Sequence, residues 1–261
     1  MASKLGVYLC VFFIALVSTD AQYNGKLIGP FPDIANNHHD IHGDVYAVSS
    51  NVIRIIGFSY DGTAPDAVVW GGETGSAPSG SGFPISSTLE NAMSDATLGD
   101  LTLSAGKSVS DLKWIAIWCR RYSLNFNHIA VPANFASPAE HNIGQLSGSY
   151  GLSATSVVIV NDQKLRFEGL QYDGSCSGAR FWAGTGSTPS SSGHFVRNEH
   201  NSDDPLVAYS GDSDIELILP DGESVFEIGY IGVWCQGADV GHVDIPAQSQ
   251  LNIPARLLPV P

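Results

Sequence analysis

Along this chain apolar and polar residues alternate on a period of two, as in strands that bury one face. The runs are short and lie between Gly, Asp and Ser clusters: Val45 to Val48, Val52 to Tyr60, Ala67 to Trp70, Leu101 to Ser104 and Trp114 to Cys119. A second series follows at Val157 to Val160, Leu165 to Tyr172, Ala179 to Trp182, Ile215 to Leu219 and Ile228 to Cys235. Leu219-Pro220-Asp221-Gly222 is a turn signal ahead of the last run. Only Ser87 to Leu98 reads as a helix. Ser87 and Glu90 are spaced as a capping box, with Leu89, Met93 and Leu98 on one side.

The two series are copies of one unit. Arg54-Ile55-Ile56-Gly57-Phe58-Ser59-Tyr60-Asp61-Gly62 matches Arg166-Phe167-Glu168-Gly169-Leu170-Gln171-Tyr172-Asp173-Gly174. Trp70-Gly71-Gly72 matches Trp182-Ala183-Gly184, and Trp114-Ile115-Ala116-Ile117-Trp118-Cys119 matches Tyr230-Ile231-Gly232-Val233-Trp234-Cys235. Order is kept throughout at a spacing of about 110–120 residues, a domain rather than a solenoid repeat. The expected architecture is therefore all-β: two tandem antiparallel β-sandwich or barrel domains over residues 24–132 and 143–246. Residues 133–142 would link them. The tail, 247–261, holds three prolines and is expected to run over the surface or fray.

Composition narrows the function. Lys+Arg 12 against Asp+Glu 26 gives a net charge of -14, which repels phosphate backbones and argues against nucleic-acid binding. Lys4, the apolar run Leu5 to Val17, and the small residues Thr19 and Ala21 before Gln22 read as a secretory signal over residues 1–21. The run is too short to span a bilayer comfortably, and no other segment approaches that length. A secreted, extracellular protein without a transmembrane segment is expected, and no Asn-x-Ser/Thr acceptor occurs. Removal of the signal takes Cys10 with it and leaves Cys119, Cys176 and Cys235. One intramolecular disulfide is possible among the three, and an odd cysteine means a free thiol or an intermolecular bridge.

The strand at Cys119 is apolar on both faces: Ile115, Ile117 and Cys119 on one, Trp114, Ala116 and Trp118 on the other. It is expected to be an interior strand. Beyond it only alternate positions stay apolar, so each cysteine sits where a buried strand ends or bulges. Two readings follow for it, a small core hydrophobe or a thiol at the core rim within reach of a partner.

Around these residues the chain resembles the DM-thirteen domain family, secreted β-rich modules of Skeletor-like proteins. The resemblance rests on His39-Asp40-Ile41-His42-Gly43-Asp44-Val45-Tyr46, Phe58-Ser59-Tyr60-Asp61-Gly62, Pro65-Asp66-Ala67 with Trp70-Gly71-Gly72, and the block from Trp114 to Pro132. It covers nearly all the mature chain as two copies. It implies that Cys119, and Cys235 in the second copy, stand at the family's characteristic cysteine. It also implies redox chemistry there, as a bare thiol or as part of a haem-type site. The second copy departs from the pattern: Gly151 stands near the place of His39, Ser177-Gly178 replaces Pro65-Asp66, and Cys176 is added.

Cys119 is accordingly the candidate redox thiol, with Arg120 and Arg121 able to lower its pKa; Cys235, followed by Gln236 and Gly237, is the weaker one. Gly174-Ser175-Cys176-Ser177-Gly178 imitates a nucleophile elbow but precedes a strand, not a helix. A disulfide between Cys176 and Cys235 is the preferred pairing, since both flank strand ends in one domain. His39 and His42, with His38, Asp40 and Asp44 nearby, form the one metal-like cluster, although their spacing is not that of a helical zinc site. His128 is a candidate to join them or to ligate haem. Arg54 and Arg166 are expected to pair with carboxylates such as Asp61 and Asp173. No resident cofactor is otherwise indicated. Two functions remain: a matrix or cell-surface interaction module with an extracellular protein partner, or an extracellular redox and electron-transfer module.

Overall fold

The computed structural model describes residues 22–34 and 39–259. The expected signal segment, Cys10 and His38 lie outside these. Among the described residues there is no α-helix, and none is long and apolar enough to cross a membrane. The first half contains β1 (Lys26–Pro30), β2 (His42–Ala47), β3 (Val52–Tyr60), β4 (Ala67–Gly72), β5 (Phe83–Pro84), β6 (Met93–Thr102), β7 (Trp114–Cys119) and β8 (Leu124–Ala130). The second contains β9 (His141–Ser147), β10 (Ser153–Asn161), β11 (Lys164–Glu168), β12 (Gln171–Tyr172), β13 (Arg180–Gly184) and β14 (His194–Val196). It continues with β15 (Tyr209–Ser210), β16 (Ile215–Ile218), β17 (Tyr230–Cys235) and β18 (Ala238–Asp244).

Each half is two antiparallel sheets. In the first they run β1-β2-β3-β6 and β5-β4-β7-β8. In the second they run β15-β12-β10-β11-β16, with β9 added to β10, and β14-β13-β17-β18. The core of the first half lies between its sheets, with Val45, Ile53, Ile55 and Phe58 meeting Val69, Ile115, Ile117 and Ile129. In the second half Val157, Ile159, Leu165 and Phe167 meet Phe181, Ile231 and Val233. Both faces of β7 are buried along its whole length, between β4 and β8, as its two apolar faces require.

Two expectations fail, each to a longer-range interaction, and a third is narrowed. Ser87 to Leu98 is not helical. Its later part enters β6, which pairs with β3 from Val52↔Thr102 to Tyr60↔Met93 and takes in Leu101 and Thr102 of the strand expected at Leu101 to Ser104. A capping box satisfies a few local amides, whereas the open edge of β3 offers a whole row of ladder bonds. The arginines choose other partners: Arg54 pairs with Asp100 at 2.7 Å, and Arg166 with Glu140 at 2.6 Å and Glu168 at 3.3 Å. Finally, of the two courses expected for the tail, residues 247–259 run over the surface rather than fray. Ile253 is buried in the second half's core and Ala255 against Val48 and Val52 of the first.

Candidate functional site

β7 and β17 carry their cysteines to the same place, beneath a turn that follows β3 in one half and β12 in the other. The turn begins with Asp61 or Asp173. Asp61 accepts bonds from Thr63 N and Thr63 Oγ1, each at 2.9 Å, and Asp173 accepts from Ser175 N at 2.8 Å. Gly62 and Gly174 supply the positive φ, 71° and 74°, that the tight chain reversal needs. A Cβ at Gly62 would also meet Ala92 N at 2.4 Å.

A tyrosine then folds the turn inward. Tyr60 OH donates to the Ala64 carbonyl and accepts from Ala64 N, both at 3.1 Å. Tyr172 OH makes the same pair with Cys176, at 3.1 and 3.2 Å. Burial raises the pKa of both hydroxyls, so they stay protonated and able to donate. These bonds place Cys176 and Ala64 at equivalent positions. Each faces the cysteine that ends the neighbouring strand.

The two turns are then closed differently. In the second half Cys176 and Cys235 form a disulfide across 59 residues, with Cα atoms 6.5 Å apart. In the first, Ala64 offers no sulfur and Cys119 is a free thiol. Its Sγ donates to the Pro65 carbonyl at 3.0 Å, and the residue is 0% exposed. Of the two readings of Cys119, its burial beside the Pro65-Asp66 turn fits the small core hydrophobe better than a thiol in reach of a partner. That turn is held by Arg120. Arg120 N donates to the Asp66 carbonyl at 3.2 Å, its Nε to Asp66 Oδ1 at 3.0 Å, and its Nη2 to Thr88 Oγ1 at 3.1 Å. The Arg120 bond, the largest influence, lowers the Asp66 pKa. The guanidinium expected to activate the thiol is thus engaged by Asp66. The second half has Gly178 and Gln236 at these places, and no such ion pair.

Among the described residues, His39 and His42 each pair with a different aspartate. His39 Nδ1 lies 3.0 Å from Asp61 Oδ1, and its ring packs 4.1 Å from that of Phe126. His42 Nε2 lies 2.9 Å from Asp40 Oδ1. Among the described residues no three His, Cys, Asp or Glu side chains are arranged to hold a metal ion. Burial opposes the Asp61 charge, but bonds from Thr63 and His39 outweigh it and lower the pKa. Asp61 N donates to the His39 carbonyl at 3.1 Å and Asp173 N to the Tyr150 carbonyl at 3.0 Å. Tyr150, not Gly151, therefore stands at the place of His39.

The opposite face of β7 carries a second repeated arrangement. Trp70 and Trp118 stack at 6.2 Å, as Trp182 and Trp234 do at 5.6 Å. Trp118 pairs across to Asn125, which lies 3.1 Å from His128; Trp234 pairs to Asp239, which lies 2.8 Å from His242. Burial lowers the His128 pKa. In the first half Trp70, Trp114 and Trp118 are all buried. In the second half Trp182 and Trp234 are partly open. Phe195, which pairs with Trp182, is 44% exposed, and Arg180 lies 5.6 Å over its ring. Arg180 replaces the buried Val68.

A haem held between Cys119 and His128 does not fit these residues. The two side chains lie on opposite faces of one sheet, and the thiol is packed under Pro65. Sequence reasoning missed the Asp66–Arg120–Thr88 cover and the Arg180–Phe195 face. The equal spacing of Tyr60 and Tyr172 from Ala64 and Cys176 was the signal that could have placed Ala64 opposite Cys119.

Comparison with known proteins agrees with the duplication. The family model described as Electron transfer DM13 matches twice, at residues 33–131 and 147–245. Protein Skeletor, isoforms B/C, of Drosophila melanogaster is 37% identical over 246 residues, covering 90% of this chain and 30% of that protein. Isoforms D/E are 37% identical over 90% of this chain and 16% of theirs. The chain thus spans less than a third of these relatives. No solved structure matches it.

Proposed function

The chain belongs to the DM13 family, and from that premise we propose that it is a secreted module that binds an extracellular matrix or cell-surface partner. The observation that carries this reading is the open sheet face of the second half, where Phe195, Trp182 and Trp234 stand beside Arg180. Exposed aromatics with an arginine are the residues that anchor protein interfaces. The matching face of the first half is buried, so one module of the pair is the binder. The apolar run Leu5 to Val17 supports the secretory route. The test is retention of the full chain in the matrix deposited by cells that secrete it. Wild type is expected in the matrix and the Arg180→Ser, Phe195→Ser double variant in the medium. Equal distribution of the two, both correctly folded, overturns the reading.

A second reading is electron transfer, supported by the family model's description and by the free thiol of Cys119. Its burial argues against direct thiol–disulfide exchange with a partner, which needs an accessible sulfur. Protein-film voltammetry of wild type against Cys119→Ser tests it: a reversible wave lost in the variant supports this reading, and the same trace from both removes it.

A further inference from the structure

Residues 252–258 belong to none of the four sheets, yet they are bonded to both halves. Toward the first half, Ala255 N donates to the Val48 carbonyl at 2.9 Å and Leu258 N to Asp100 Oδ2 at 2.6 Å. Arg54, fully buried, donates its Nη2 to the Arg256 carbonyl at 3.0 Å, its Nε to Asp100 at 2.8 Å and its Nη1 to Asn24 at 3.0 Å. Toward the second half, Asp162 N donates to the Pro254 carbonyl at 3.1 Å, and Asp162 Oδ1 accepts from Arg256 N. Asp162 is 1% exposed, with the Arg256 guanidinium 3.8 Å away. Tyr23 OH adds a bond to the Ile253 carbonyl at 3.1 Å while its ring packs edge-on against Phe226 of the second half.

The two buried charges explain the arrangement. Arg54 stands in β3, an apolar strand of the first half, and Asp162 in the turn between β10 and β11 of the second. A buried charge is costly unless its hydrogen-bonding groups are matched. The tail's backbone supplies part of the match for both. It also supplies the apolar groups, Ile253 and Ala255, that close over the second core and over Val48 and Val52.

We infer that residues 252–258 form an intramolecular clasp that fixes how the two DM13 units are oriented and hides the apolar seam of Val48, Val52 and Tyr23. Apart from Ile253, each unit's core is built from its own sheets and their connections, so opening the clasp is expected to free the units without unfolding them. The experiment compares the full secreted chain with a chain ending at Leu251, by small-angle scattering, hydrophobic-dye binding and protease cutting within residues 133–140. The shortened chain is expected to have a larger radius of gyration, to gain dye binding and to be cut roughly tenfold faster, as local opening of a docked segment allows. A peptide of residues 252–261 added in trans is expected to reverse these changes. An unchanged scattering profile and cutting rate in a folded shortened chain overturns the inference. If shortening prevents folding, Ala255→Arg in the full-length chain decides. The larger side chain cannot sit against Val48 and Val52, so the profile must expand, and a profile equal to wild type overturns the clasp.

Discussion

At the ends of β7 and β17 the two halves close the same turn in two ways. The second half joins Cys176 to Cys235 covalently. The first has Ala64 in place of Cys176 and closes the turn with a thiol hydrogen bond to Pro65 and an exposed ion pair between Asp66 and Arg120. The difference is small in sequence and large in chemistry. Covalent closure consumes the cysteine and makes the ion pair unnecessary, consistent with Gly178 and Gln236 in those places. Non-covalent closure leaves a free thiol beneath the Pro65-Asp66 turn. Tandem duplication has thus left one copy braced by a disulfide and the other with a free thiol.

The largest effect expected from breaking this comparison is loss of the disulfide. Cys176→Ala turns the second half into a likeness of the first and is expected to destabilise it by about 2–4 kcal/mol, given a loop of this length. Denaturant unfolding followed by Trp fluorescence checks this. The converse change sharpens it. Ala64→Cys is expected to oxidise spontaneously with Cys119, removing the thiol and stabilising the first half by about 2–3 kcal/mol. Intact-mass analysis must show two hydrogens lost, and thiol titration must show none left.

Smaller effects concern the cover. Arg120→Ala is expected to speed alkylation of native Cys119 by roughly tenfold while leaving the unfolding midpoint nearly unchanged, because exposed ion pairs contribute little to global stability. Acid gives the mildest perturbation. The pKa of Asp66 is lowered in the folded protein, chiefly by its bond from Arg120. Its contribution is therefore present above the unfolded carboxylate's pKa and is lost as pH falls through the depressed folded value. Asp61 is also lowered, its bonds from Thr63 and His39 outweighing burial, and so is Asp173, by its bonds from Ser175, so both turns loosen at their first residue. Only the first loses its closure, since a disulfide does not titrate. Hydrogen exchange on acidification is expected to rise more at residues 64–66 than at residues 176–178 after correction for intrinsic rates.

Much of this fold was legible in the chain. Two apolar faces on Trp114–Cys119 and on Tyr230–Cys235 can only suit interior strands, and the matched order of motifs shows the duplication. The Cys176–Cys235 pairing followed from their positions at strand ends. What was not legible depends on partners distant in sequence. Arg54 meets Asp100 and the tail, and Arg166 meets Glu140, because the ladders bring those groups beside them. The capping box at Ser87 lost to the edge of β3. Proline in the tail forbids helix and ladder but not an extended strap whose remaining amides find partners. The burial of Cys119 depends on Tyr60 drawing Ala64 inward, a contact that no period or motif announces.

The central claim is that the same position holds a shielded thiol in one half and a disulfide in the other. Alkylation of the secreted protein without reductant, followed by peptide mass spectrometry, tests it most directly. Cys119 must remain unlabelled in the native protein and become labelled in denaturant, while Cys176 and Cys235 are recovered as one linked peptide pair in both conditions. Rapid labelling of native Cys119, or recovery of Cys119 in a disulfide with either of the others, would contradict the account.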